Sequence, residues 1–144
     1  MLTLTQLCST ILENARQFHL SLTAEERCRS RLHCHSDEGE SLYLKLPRGI
    51  TLQPGDRLQN EEGTVMVMVQ AKAEPTLKVM AATPLGLLQA AYHLGNRHVP
   101  LEIHTDYLRL GADAVLQTLL EQRGLKVTFE VAPFCPERGA YHAH

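Results

Sequence analysis

Two segments of the first half alternate apolar and polar side chains: Arg31-Leu32-His33-Cys34-His35 and Ser41-Leu42-Tyr43-Leu44-Lys45-Leu46. Period two marks a strand with one buried face. The turn Asp37-Glu38-Gly39-Glu40 lies between them, so a hairpin is predicted, with Leu32 and Cys34 inward and His33 and His35 in solvent. Thr64 to Gln70 is a further strand-length run rich in valine, and Met1 to Leu12 reads as strand or short helix. Ala24 to Arg31 reads as a charged turn. Pro47-Arg48-Gly49 and Pro54-Gly55-Asp56 are turns, because proline pre-sets φ and glycine accepts positive φ. Short strands at this spacing predict a small β domain over residues 1–72, with Ala71 to Pro75 as a linker.

The second half has another rhythm. Thr76 to Ala81 predicts a short strand. Thr83-Pro84 predicts a helix start, with threonine as N-cap and proline at the first helical position. Leu87, Leu88, Ala91 and Leu94 follow at helical spacing, and Gly95 or Asn96 is expected to supply the left-handed residue that ends the helix. His98 to His104 and Asp106 to Leu110 are expected strands. Asp113 caps a second predicted helix carrying Val115, Leu116, Leu119 and Leu120, with Gly124 as its stop, and Lys126 to Val131 is the last strand. The order β-α-β-β-α-β is that of a ferredoxin-like unit. The expected fold is α+β in two domains: a β-rich domain over 1–72, a ferredoxin-like domain over 73–132, and a flexible histidine-bearing tail over 133–144.

Composition narrows the functions open to such a chain. Of 144 residues, 44% are hydrophobic and 21% charged, which supports a packed core rather than disorder. A net charge of −2 leaves no basic footprint for nucleic acid or anionic lipid. No apolar run approaches a membrane span, and Met1 to Leu12 lacks a basic region and a cleavage pattern. A cytoplasmic protein is expected. Cys8, Cys28, Cys34 and Cys135 form neither a disulfide framework nor a CxxC knuckle, and are expected mostly as small core residues.

No GxSxG elbow, P-loop or GxGxxG fingerprint is present, so an enzyme is not expected. Histidine is the informative residue. There are eight, and His142 and His144 fall in the last three positions. His93 and His98 stand five apart across the predicted helix end, a spacing that suits neither a helix face nor a strand face as a chelating pair. His98 follows the Gly95-Asn96 turn, with Val99, Pro100 and Leu101 offering apolar surface beside it. One chain is then short of ligands, and a two-fold dimer supplies the second His98. His142 and His144 complete the shell in this reading, with His93 supporting and Cys135 a further candidate thiolate. Imidazole suits Ni, Cu and Zn alike, and the residues do not choose among them. A general metal buffer and a metal-independent peptide or protein adaptor are the competing classes.

Ala91-Tyr92-His93-Leu94-Gly95-Asn96-Arg97-His98 resembles the signature of urease accessory protein E, the nickel metallochaperone of urease maturation. Leu22-Thr23-Ala24-Glu25-Glu26-Arg27 with Arg31, Leu46-Pro47-Arg48-Gly49, Gly55-Asp56 and Ala73-Glu74-Pro75 resemble further segments of that family in the same order. Pro133-Phe134-Cys135-Pro136-Glu137-Arg138-Gly139-Ala140-Tyr141 is similar to its C-terminal end. The resemblance spans about residues 20 to 144. It implies a homodimer joined through the ferredoxin-like domains, with Ni(II) on the two-fold axis at His98. It also implies a mobile contribution from the C-terminal histidines and a peptide-binding character for the N-terminal domain. The implied partners are the urease apoprotein and its accessory proteins, especially the GTPase that receives nickel. The chain departs from some members in having no histidine in Leu110-Gly111-Ala112-Asp113-Ala114 and no polyhistidine tail.

Overall fold

A computed structural model describes residues 1–139. The chain divides into two compact units, Met1–Lys72 and Ala73–His144.

The first unit contains seven strands: β1 (Leu2–Leu4), β2 (Gln6–Cys8), β3 (Arg16–Leu22), β4 (Arg31–His35), β5 (Ser41–Lys45), β6 (Arg57–Gln59) and β7 (Val65–Ala71). They form one sheet in the order β1-β5-β4 and another in the order β2-β6-β7-β3. The hairpin β4–β5 is antiparallel, with Leu32 opposite Leu44 and Cys34 opposite Leu42. The inward side chains of both sheets make one core, including Leu4, Leu20, Leu22, Leu42, Leu44, Leu58, Val67 and Val69. Met1 to Leu12 proves to be two short strands split at Thr5, and Glu26–Cys28 is a single 3₁₀ turn inside the predicted charged turn. Strand β3 pairs in parallel with β7, 49 residues further on at Arg16↔Val65. The expectation of core cysteines needs correction. Cys34 is half-buried and packs against the core, Cys8 and Cys28 are half-buried, and Cys135 is exposed.

The second unit runs β8 (Ala73–Met80), α1 (Pro84–Asn96), β9 (Glu102–Ile103), β10 (Leu108–Gly111), α2 (Ala114–Gln122) and β11 (Lys126–Pro133). Its sheet has the order β11-β8-β10-β9, and every pairing is antiparallel. Leu77, Val79, Leu108 and Leu110 cover one sheet face. Leu87, Ala90 and Leu94 of α1 and Leu120 of α2 pack on them. Both helices thus lie on one face, and period-two alternation sends Thr76, Lys78 and Arg109 to the other.

The caps follow from the residues at the helix starts. The Thr83 hydroxyl accepts the Gly86 N–H at 3.1 Å, and Asp113 Oδ1 accepts from Val115 and Leu116 at 2.9 and 3.0 Å.

Four expectations need correction here. The predicted linker Ala71 to Pro75 is mostly strand: β8 starts at Ala73, which pairs with Pro133. The predicted strand His98 to His104 shrinks to Glu102–Ile103, since His98 is left-handed and Pro100 has no N–H to donate. Strand β10 begins at Leu108 rather than Asp106. The tail does not loosen at residue 133. Pro133 closes β11, Phe134 is 2% exposed, and the Glu137 N–H donates to Leu101 O at 2.8 Å. His142 and His144 lie outside the described residues.

Candidate metal centre

The end of α1 sets the geometry. Gly95 and Asn96 are still helical, and Arg97 is the cap. His98 takes the left-handed turn at φ 59, the one positive φ outside glycine among the described residues. The His98 N–H donates to Gly95 O at 3.0 Å and the Val99 N–H to Leu94 O at 3.1 Å. That is the paired arrangement of a Schellman cap, with His98 in the position ordinarily taken by glycine. Val99 packs on the core cluster that contains Leu94, which fixes where the turn must fall. A side chain in this conformation costs about 1–2 kcal/mol. Such strain, held by its surroundings, is commonest at functional positions. His98 is exposed and helps line a cleft with Glu74, Val99, Pro100, Asp113, Leu116 and Phe134.

His93 goes elsewhere. It is half-buried on the flank of α1, in a separate cleft with Gln89, Arg123 and Leu125, and its ring meets Tyr92 edge-on at 5.4 Å. Helical geometry explains the separation: the side chain at 93 is fixed by the helix, whereas that at 98 is re-aimed by the left-handed turn. Cys135 sits one residue past the buried Phe134, and its backbone N–H donates to Glu102 Oε1 at 2.7 Å. Three further histidines, His19, His33 and His104, have partners close by. His19 Nδ1 lies 3.0 Å from Glu38, and the His19 backbone N–H, the larger influence, holds that carboxyl below its usual range. His33 stacks on Tyr43 at 4.3 Å, and His104 stacks on Tyr107 at 4.2 Å with its Nε2 2.6 Å from Glu102.

Among the described residues, no three His, Cys, Asp or Glu side chains converge to hold an ion. Among the residues lining the His98 cleft, the sequence reading did not anticipate Glu74 and Phe134. Only Phe134 carried a signal beforehand, as the first large apolar residue after the predicted last strand.

The family model described as UreE urease accessory protein, C-terminal domain, matches residues 74–144, and its N-terminal counterpart matches residues 4–72. The chain belongs to the UreE urease accessory protein family. It is 86% identical over 144 residues to the UreE of Thermosynechococcus vestitus, with 100% of both chains covered. It is 53% identical over 144 residues to that of a Nostoc sp., covering 100% of this chain and 98% of the relative. The UreE of Burkholderia lata is 47% identical over 133 residues, which are 90% of this chain and 64% of that one. The two UreE domain matches agree with the two compact units, meeting at residues 72 to 74. Among the described residues of this UreE chain, no helix is long and apolar enough to cross a membrane.

Proposed function

We propose that this chain is a non-enzymatic, cytoplasmic nickel carrier for urease maturation. His98 and its symmetry mate hold Ni(II) on the two-fold axis of a homodimer, and the ion passes to the urease apoprotein through its accessory proteins, with the nickel-receiving GTPase as immediate acceptor. The observation that carries this reading is the left-handed backbone of His98. Packing alone would be better served by glycine there, so the imidazole is retained at an energetic cost.

Three features support the rest. One chain offers no complete donor set among its described residues, and an isologous contact doubles each donor. Helix α1 exposes Leu85, Leu88 and Tyr92, spaced i, i+3, i+7, as an apolar stripe for the second copy. The β-α-β-β-α-β order with both helices on one face fits a ferredoxin-like dimerisation domain. His142 and His144 add ligands to this centre, with Cys135 as a lesser candidate, and His93, in its separate cleft, keeps only a supporting role. Zn(II) and Cu(II) fit the same nitrogen donors, and selectivity then rests with delivery rather than affinity. The N-terminal unit serves as the peptide-binding module.

The test is Ni(II) calorimetry on the untagged wild type and His98→Ala, with the mass of each species measured in parallel. The variant should stay dimeric and lose the high-affinity ion. Unchanged stoichiometry and affinity would sink the proposal.

A further inference from the structure

We infer that the turn Asp37–Glu38 is a strap that shuts the free edge of β3 against a second copy of this chain. The inference goes beyond the nickel reading above and does not depend on it.

Strand β3 is an outer strand, in the order β2-β6-β7-β3. At seven residues it is longer than β1, β2 and β4, the other outer strands of the unit. It holds no proline and no lysine, and Arg16 stands only at its start. Its inner side is taken by the parallel ladder to β7. The Arg16 N–H donates to Thr64 O at that side, and Leu22 O accepts the Lys72 N–H there. Backbone groups of successive strand residues point to alternate sides, so Gln17, His19 and Ser21 turn theirs outward. A long edge of this kind pairs with another strand unless something blunts it. It is also self-complementary. A second β3 laid antiparallel about His19 would set Gln17 opposite Ser21, so the same three positions of both copies would be used.

The strap occupies the middle of those positions. The Asp37 N–H donates to His19 O at 2.7 Å, and Glu38 Oε1 accepts the His19 N–H at 2.8 Å. Together they give His19 the donor and the acceptor that a paired strand would give it. Glu38 Oε2 lies 3.0 Å from His19 Nδ1, and the Ser21 hydroxyl donates to Asp37 Oδ2 at 3.0 Å. The strap is shaped by its own hairpin rather than by β3. The Gly39 N–H donates to Ser36 O at 2.9 Å and Glu38 has no positive φ, which makes Ser36–Gly39 a type I turn. The buried Ser36 hydroxyl accepts the Glu40 N–H at 2.9 Å and fixes the root of the turn. The hairpin therefore presents Asp37 and Glu38 to the edge already in place, and ordering them there costs little.

The experiment opens the strap in the full chain with Asp37→Pro and Glu38→Ala together. Proline suits the second position of a type I turn and removes the N–H that reaches His19, so the turn is kept. Two quantities are read without metal: amide exchange in dilute protein, and sedimentation mass over a concentration series. The His19 amide should exchange roughly tenfold faster or more, while the Leu20 amide, on the β7 side, stays protected and reports an intact sheet. The mass should climb above that of the wild type as concentration rises. Adding Gln17→Pro, which takes an outward N–H from the edge, should return it to the wild-type value. Glu38→Gln alone keeps an acceptor for the His19 N–H, so it should quicken that amide only a few-fold and leave the mass unchanged. Should Leu20 lose protection in the double variant, Glu38→Ala alone, which leaves the backbone of the turn untouched, takes the same readings and decides in the same way. A His19 amide that stays protected, a mass that never climbs once that amide is open, or a gain in mass that Gln17→Pro does not reverse overturns the inference.

Discussion

His98 and Gly124 occupy the same position at the ends of the two helices of the C-terminal unit. Each is the left-handed residue after a capping arginine, at φ 59 and 83. Gly124 N–H donates to Glu121 O and Leu125 N–H to Leu120 O, as His98 and Val99 do to Gly95 and Leu94. One helix ends with the residue that suits the backbone. The other ends with an imidazole whose chemistry has to justify its place.

Replacing His98 by glycine separates these roles. His98→Gly removes the left-handed strain, offset in part by greater freedom of the unfolded chain, so the apo protein should be at least as stable as wild type, by up to about 1 kcal/mol. His98→Ala keeps the strain and should gain nothing. Both should lose nickel. Urea unfolding of the metal-free proteins, beside calorimetry, reads the two effects independently.

Gly124→Ala provides the complementary case. A Cβ there meets no atom within 4 Å, so the cost is conformational rather than steric. The variant should lose about 1 kcal/mol in urea unfolding and leave nickel affinity untouched. A fall in nickel affinity would mean that α2 contributes to the centre.

Truncation after Ala140 removes His142 and His144 while keeping Phe134 and Glu137. It should lower nickel affinity or the number of ions per dimer without changing the melting temperature of the apo protein. If neither nickel quantity changes, the tail histidines are not ligands.

The buried guanidinium of Arg109 answers two carboxylates and a hydroxyl. Arg109→Ala leaves Glu102 and Glu130 without their shared cation, and should cost about 3 kcal/mol in urea unfolding. A loss below about 1 kcal/mol would show that solvent and His104 compensate.

Burial, with a smaller contribution from Glu26, pushes the Cys34 thiol up to about 11. Since the folded value is raised, any stability linked to this thiol is complete below the unfolded value near 8.5. It declines as pH rises from there through 11. At pH 8 the native Cys34 should alkylate with iodoacetamide roughly a hundredfold more slowly than in urea, where the thiol is unshifted. Mass mapping over time checks this, and equal rates would place Cys34 in solvent.

Much of the local structure was legible in the sequence because its causes are local. The hairpin Arg31–His35 with Ser41–Lys45 follows from alternation and an intervening turn. Thr83, Asp113 and Gly124 each act on backbone groups within a few residues of themselves. Strand β3 was missed, although Phe18, Leu20 and Leu22 alternate with polar neighbours and carried the signal of a strand with one buried face. The site itself was legible only as residue types: His98 stood out by its surroundings, but Gly95 or Asn96 was expected to be the left-handed residue, and both are helical.

Tertiary structure decided the rest. The left-handed turn falls at His98 because Val99 must reach the core beside Leu94, and packing outweighs the intrinsic preference for glycine. The parallel pairing of β3 with β7 and the hydrogen bond from the Cys135 N–H to Glu102 join residues 49 and 33 positions apart. Contacts at that separation leave no period or spacing along the chain. They exist only once the intervening segments have folded and their burial has offset the entropy of closing the loop.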